Sequence, residues 1–326
     1  MLARTRLSPA PPAAPLAFRR VLEQLAVQDY LVFCYLILVD LAILRGERNV
    51  HYADNLLRIN GLLAFFLVGM ALTRTRVMRE GWPKAILYRL AIYAPVQLSY
   101  FFFRQILPSV NPGSLDAELL ALDTHFFGIE PAVVFDALVT PFTTEWFSFF
   151  YFGYFIVLAV HVVPILFFSR NQRILGEFTL GMLLVFCIGH SVYMLVPGFG
   201  PYFAMQDAFS TPFPRGVWLD MVMNAVNSGG ALKDIFPSLH TAAPLFIALF
   251  SFRHRARVPY RYTWPFVAFI SLNIIVATMF LRWHYLIDVV AGILLAGFVM
   301  LVVPGLVAFE LERRARRGYS QLLPEA

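Results

Sequence analysis

The chain has 326 residues, of which 59% are hydrophobic and only 14% charged, with a mean hydropathy of +0.68. An ordinary soluble domain is roughly 45–50% apolar and about 25% charged, so a water-soluble fold is excluded and lipid must solvate much of the chain. The net charge of +6 would allow a nucleic-acid partner, but the placement of the basic residues gives it a different meaning.

Residues 1–27 are rich in Pro and Ala and carry Arg4, Arg6, Arg19 and Arg20. They contain no apolar stretch ending in a small-residue cleavage site, so they read as a disordered or interfacial cytoplasmic tail rather than a signal peptide. A membrane-spanning helix needs about 20 predominantly apolar residues. Candidates follow at 28–45, 56–73, 85–107, 143–168, 174–196, 238–252, 264–282 and 285–308. The expected fold is therefore an all-α polytopic membrane protein of about eight transmembrane helices, one catalytic domain over 28–310. Span 238–252 is short, and its start is expected inside a cavity rather than at the lipid surface. Segment 115–138 is apolar but carries several acids and Pro131, which suits amphipathic helices lying in the interface. Residues 197–237 form the longest non-membrane segment, rich in Gly, Pro and aromatics, and such long loops are more often functional than linking. Residues 311–326 read as a basic cytoplasmic tail.

With a cytoplasmic N-terminus, 18 of the 26 basic residues fall on the cytoplasmic side and seven outside, with Arg89 inside a span. This asymmetry obeys the positive-inside rule and accounts for the charge without DNA or RNA. Cys34 and Cys187 both sit in apolar runs and can build neither a disulfide framework nor a thiolate metal cluster.

Two strings carry chemistry: Phe236-Pro237-Ser238-Leu239-His240, opening the sixth span, and Arg282 to Asp288, joining the seventh to the eighth. The topology puts both on the extracytoplasmic face. His284 and Asp288 are spaced i, i+4 and share a helix face. A carboxylate there can orient the imidazole and stabilise its charged form, which leaves the second ring nitrogen free to attack phosphorus. His240, across the site, could supply the proton a leaving alkoxide needs. Lys233, Arg282 and the Ser238 hydroxyl stand close in sequence and could hold phosphoryl oxygens. His51, His125, His161, His190 and His254 read as hydrogen-bonded structural residues, with His161 and His190 also open as supporting groups at membrane depth. Asp40 reads as a structural partner. A zinc site of His240, His284 and Asp288 is a second reading, but neither an HExxH-type string nor a cysteine supports it.

The strings FPSLH and HYxxDxxxG, the latter present as His284, Tyr285, Asp288 and Gly292, resemble the second and third signature motifs of the type-2 phosphatidic acid phosphatase superfamily. Asp123, Gly128, Pro131 and the run FFYFGYF (149–155) resemble its inositolphosphotransferase branch, and the resemblance covers about 115–300. It implies a phosphatidic-acid-phosphatase-type helical core. It also implies a phosphohistidine on His284, oriented by Asp288, with His240 as general acid and no cofactor or metal. The partners would be a lipid phosphate donor and a lipid or water acceptor, which makes the chain a phosphotransferase or a phosphatase. A transporter with proton-relaying histidines is the rival class, and the internal repeats that would support it are missing. The superfamily's first motif, KxxxxxxRP, is also missing, and Pro197-Gly198-Phe199-Gly200-Pro201-Tyr202 stands in its place.

Overall fold

A computed structural model describes residues 22–75 and 77–324. Expectations that fall on 1–21, on Arg76 and on 325–326 lie outside the described residues. No strand occurs among the described residues; the chain is helical, as backbone in hydrocarbon must be if its N–H and C=O groups are to be satisfied locally. Seven described helices are long and apolar enough to cross a membrane, and the protein is an integral multi-pass membrane protein.

The helices are α1 (Val27–Arg45), α2 (Tyr52–Thr73), α3 (Trp82–Val110), α4 (Asp116–Phe127), α5 (Pro131–Phe135), α6 (Pro141–Phe168), α7 (Gln172–Tyr193), α8 (Pro201–Ala204), α9 (Val217–Gly229), α10 (Leu239–Arg253), α11 (Tyr260–Phe280) and α12 (Leu286–Arg317). The eight expected spans correspond to α1, α2, α3, α6, α7, α10, α11 and α12. Seven are full length; α10 is the short one. Its 15 residues reach about 22 Å at about 1.5 Å per residue, less than the roughly 30 Å of a hydrocarbon core. Its first turn therefore starts within the bundle.

The centre of the bundle is α7 and α10. Helix α10 packs on α6, α7, α11 and α12, while α7 also receives α1 and α3. Phe178, Phe246 and Phe250 fill the space between them and are almost completely buried. Peripheral helices keep apolar side chains outward, as Leu57, Phe266 and Leu301 do, which suits lipid as solvent. Segment 115–138 forms α4, α5 and a short 3₁₀ turn across the end of α12 and beside α11.

At one end of the bundle the buried charges form side-chain pairs. Arg74 Nε donates to Asp29 at 2.7 Å, and Tyr88 donates to the same carboxylate at 2.6 Å. Arg314 pairs with Glu310 at 2.8 Å, and Glu177 accepts from Arg173 at 2.8 Å and faces Arg253 and His254. This is the arginine end. The segment from 311 is packed against this end. Helix α12 runs to Arg317, and the following residues fold back so that Leu322 and Leu323 are buried. Carbonyls of Leu322 and Pro324 accept from Arg74 and Arg89. The segment adds acceptors to those the helices already give these buried arginines: Asp29 and Tyr88 for Arg74, and the Ala85 and Leu166 carbonyls for Arg89.

Candidate active site

The opposite end is built around the turn from α11 to α12. Helix α11 stops when Arg282 adopts a left-handed backbone, φ 65°. The amides of Trp283 and His284 then both donate to the Thr278 carbonyl, at 2.9 and 3.2 Å. This satisfies a free end of α11 and aims the His284 ring inward. Helix α12 begins immediately, and its N-terminal amides attract two carboxylates. Asp288 accepts from the Tyr285 amide at 3.0 Å, and Asp123, from α4, accepts from the amides of Leu286 and Ile287, both at 2.7 Å. Negative charge is favoured there by the helix dipole and the unsatisfied N–H groups.

The i, i+4 pair forms: His284 Nδ1 lies 3.4 Å from Asp288 Oδ2, the loose end of hydrogen-bond range. The second string docks on the first. The Ser238 amide donates to the Asp288 carbonyl at 3.0 Å, so α10 and α12 start side by side. Gly292 makes this approach possible, because a Cβ there would lie 2.6 Å from the Ser238 carbonyl oxygen. The rings of His240 and His284 then face one another with centroids 6.4 Å apart. His240 stacks on Tyr151, centroids 4.4 Å apart, and packs at a tilt against Tyr154 at 4.2 Å. Its Nε2 is buried and meets no protein partner.

Both histidines open into a cavity of about 640 Å³ between α3, α6, α7 and α9. Its polar lining includes Asp234, His190 and the tyrosines 100, 151, 154 and 193, and its walls are largely aromatic and aliphatic. Among the described residues, no lysine or arginine lines it. The three residues expected to hold phosphoryl oxygens are therefore not brought to it. Lys233 directs its ammonium to the carbonyls of Pro112 and Gly113, both at 2.8 Å, and of Asn111 at 3.4 Å. It satisfies chain leaving α3, whose end has carbonyls to spare. Arg282 turns outward to Asp136 and the Thr211 carbonyl, each at 2.7 Å, sandwiched by Phe209 and Phe213. The Ser238 hydroxyl accepts from the Thr241 amide as the N-cap of α10. In each case a nearby backbone or carboxylate partner takes the group before it can reach the cavity.

The acids of segment 115–138 clamp the site from outside. Asp116 accepts from the amides of Phe199 and Gly200, at 2.9 Å each, and from the Tyr285 hydroxyl at 3.1 Å. Burial and a hydrogen bond shared with Asp123 push the Glu130 carboxyl up to about 8. Burial alone would raise Asp136, but hydrogen bonds from Ser210 and Thr211 and the charge of Arg282 hold it below the usual carboxylate range. The segment 197–202 has a definite task in this arrangement. Gly198 bridges Asp234, Tyr202 donates its amide to the Arg282 carbonyl at 2.6 Å, and its ring stacks on Trp283 at 4.7 Å. Gly200, at φ 80°, passes so close that a Cβ would lie 2.3 Å from the Trp283 carbonyl oxygen. The loop thus ties α4, the turn at Arg282 and the segment at Asp234 together.

Sequence reasoning missed Asp234; it read the acids of 115–138 as signs of an interface and Asp123 as part of a family resemblance, but gave none of them a place in the site. The available signal was their position: carboxylates beside apolar spans demand donors. Burial pulls the His284 imidazole down to about 4, against the opposing field of Asp234. His190 also lines the cavity, with Nδ1 3.3 Å from the Tyr35 hydroxyl, whereas His254 belongs to the Glu177 network, and His161 contacts the Val157 carbonyl. His51 and His125 are exposed, and Asp40 accepts from Asn60 at 2.8 Å. Among the described residues, no three or more His, Cys, Asp or Glu side chains converge as metal ligands.

A family model described as the PAP2 superfamily matches residues 117–302, from α4 to the middle of α12. No curated protein and no solved structure matches the chain.

Proposed function

The chain belongs to the PAP2 superfamily, and on that premise we propose that it is a lipid phosphotransferase working through a phosphohistidine. The observation that carries this reading is the pair His240 and His284, facing one another across an aromatic-walled cavity with Asp288 behind His284. Asp288 holds Nδ1, so the lone pair of Nε2 attacks phosphorus. The P–O bond to the departing alcohol breaks, and its electron pair stays on that oxygen. His240 Nε2 gives the alkoxide its proton. An acceptor hydroxyl then delivers its proton to His240 while its oxygen takes the phosphoryl group, and the N–P electrons return to His284. Asp288 orients the ring and stabilises the charge that develops on it.

The motif resemblance to the inositolphosphotransferase branch and the apolar cavity support a lipid acceptor over water. Purified protein in detergent, given labelled lipid phosphates with and without diacylglycerol or ceramide, should form a new phosphodiester only when the acceptor lipid is present. Free phosphate or free headgroup phosphate as the sole product would instead make the chain a phosphatase. Turnover should survive EDTA and be inhibited by vanadate, a mimic of five-coordinate phosphorus on His284. Loss in chelator restored by zinc would overturn this.

The distribution of arginine supports an extracytoplasmic site with both termini cytoplasmic. A reporter fused after Arg317 should read cytoplasmic and one inserted near Ser210 extracytoplasmic; the reverse signals would invert the orientation.

A further inference from the structure

The cavity has an electrostatic peculiarity that phosphoryl transfer does not explain. A pocket that receives a phosphate ester would be expected to present cations, yet among the described residues its lining includes one carboxylate, Asp234, and no lysine or arginine. Asp234 is not incidental. Its backbone is bridged to Gly198, and Tyr100 donates to its Oδ2 at 2.6 Å. No arginine or lysine pairs with it among the described residues. A carboxylate left beside a bound phosphate would repel it, and a buried charge without a counter-ion is unfavourable. The tyrosines 151, 154 and 193 line the same space. Phe101, Phe155 and Phe203 add further rings to the lining. A carboxylate in a cavity lined by tyrosine and phenylalanine rings suits an organic ammonium, which can combine ion pairing with cation–π attraction.

We infer that the donor is a zwitterionic phospholipid with an amino-alcohol headgroup of the choline or ethanolamine type, its nitrogen held by Asp234 and the surrounding tyrosines. The inference rests on the phosphohistidine reading, and it parts from the inositol headgroup that the motif resemblance suggests. The two-carbon link between phosphate and nitrogen keeps the ligand cation close to phosphorus, so it supplies the positive charge that the cavity wall lacks. His284 Nε2 bonds to phosphorus, and the P–O bond to diacylglycerol breaks with its electrons on the glycerol oxygen, which takes the proton of His240. The phosphoamino-alcohol remains on His284 until an acceptor hydroxyl gives its proton to His240 and accepts the group. A polyol headgroup would find hydrogen-bond partners in the same tyrosines, but it would leave Asp234 without a counter-charge.

The test compares full-length protein in lipid nanodiscs on phospholipids with identical acyl chains and choline, ethanolamine, inositol or glycerol headgroups, with phosphatidic acid as the headgroup-free reference. The amine-bearing donors should be turned over with the highest kcat/KM. In Asp234→Asn the ratio of kcat/KM on these donors to that on phosphatidic acid should fall about 10-fold or more, chiefly through KM, as expected for loss of a charged contact. Tyr100→Phe should lower the ratio by a smaller factor. An unchanged ratio with equal loss on all substrates would overturn the assignment, since Asp234 would then only orient the histidines. Highest kcat/KM on the inositol or glycerol donor would overturn it in favour of a polyol site. Calorimetric binding to His284→Ala separates the headgroup from the chemistry. Phosphocholine or phosphoethanolamine should bind, inositol phosphate should bind at least about 10-fold more weakly, and Asp234→Asn should abolish that preference. Equal binding of all three would overturn the headgroup assignment even in an active enzyme, whereas selective binding by His284→Ala alongside a wild-type protein that forms no phosphoenzyme would sink the phosphohistidine reading and leave the headgroup site standing.

Discussion

The two ends of the bundle satisfy buried carboxylates in different ways. At the arginine end the partners are cations: Asp29 meets Arg74, Glu310 meets Arg313 and Arg314, and Glu177 meets Arg173 and Arg253. At the histidine end Asp116, Asp123 and Asp288 meet backbone amides and a tyrosine hydroxyl, and only Asp136 takes an arginine. Charge is cancelled at the first end, which clamps α1, α2, α3, α12 and the C-terminal segment into one unit. At the second, carboxyl groups held by backbone amides and a hydroxyl stand beside His240 and His284. Buried polar atoms without partners include His240 Nε2, Asp288 Oδ1 and Trp283 Nε1 at the histidine end.

The largest effects should come from breaking the histidine pair itself. His284→Ala should abolish turnover of every substrate, because no phosphoenzyme can form. His240→Ala should lower lipid turnover by about 10²–10⁴-fold while retaining much of the activity on an activated aryl phosphate, whose leaving group needs no proton. Reversed behaviour of the two variants on aryl phosphate would exchange their roles.

Removing a carboxylate that holds backbone should be milder. Asp123→Ala frees the amides of Leu286 and Ile287, and misplacement of His284 on the ångström scale can lower kcat by up to about 10²-fold. KM should change little, and Asp123→Asn, which keeps one acceptor oxygen, should recover part of the loss. A variant with wild-type kcat would show that α12 starts correctly without Asp123.

The pH profile sharpens the contrast further. A neutral His284 is needed for attack, and burial pulls its imidazole down to about 4. The acidic limb of kcat/KM should therefore fall near pH 4 rather than near the ordinary imidazole value of about 6.5. Asp234 opposes the downward shift, so Asp234→Asn should move the limb to still lower pH. A limb near 6.5 in the wild type would mean that the ring is solvated when it reacts.

The smallest effect on catalysis should come from the arginine end. Arg74→Gln removes one partner of a buried pair, a loss that typically destabilises by about 3–5 kcal/mol. Thermal unfolding in detergent should show it plainly, with kcat changed less than about twofold. An equal fall in kcat would mean that the two ends are coupled through α1–α3.

Much of this protein was legible in sequence because lipid imposes a local rule. Each span must be apolar over about 20 residues and satisfy its own backbone, so the positions of α1, α2, α3, α6, α7, α11 and α12 follow from composition along the chain. The His284–Asp288 pair was legible for the same reason, since i, i+4 spacing is a local geometry. The fates of Lys233, Arg282 and Ser238 were not. Closeness in sequence put them beside the histidines, but each is claimed by a partner that only folding supplies: the chain beyond α3, Asp136 and the first turn of α10. Asp123 and Leu286 stand 163 residues apart, and no pattern along the chain pairs a carboxylate with a distant amide. Sequence determined which segments lie in lipid and which two histidines could do chemistry. Tertiary structure decided which charges are neutralised and which face the cavity, because a buried charge takes whatever donor packing brings within about 3 Å.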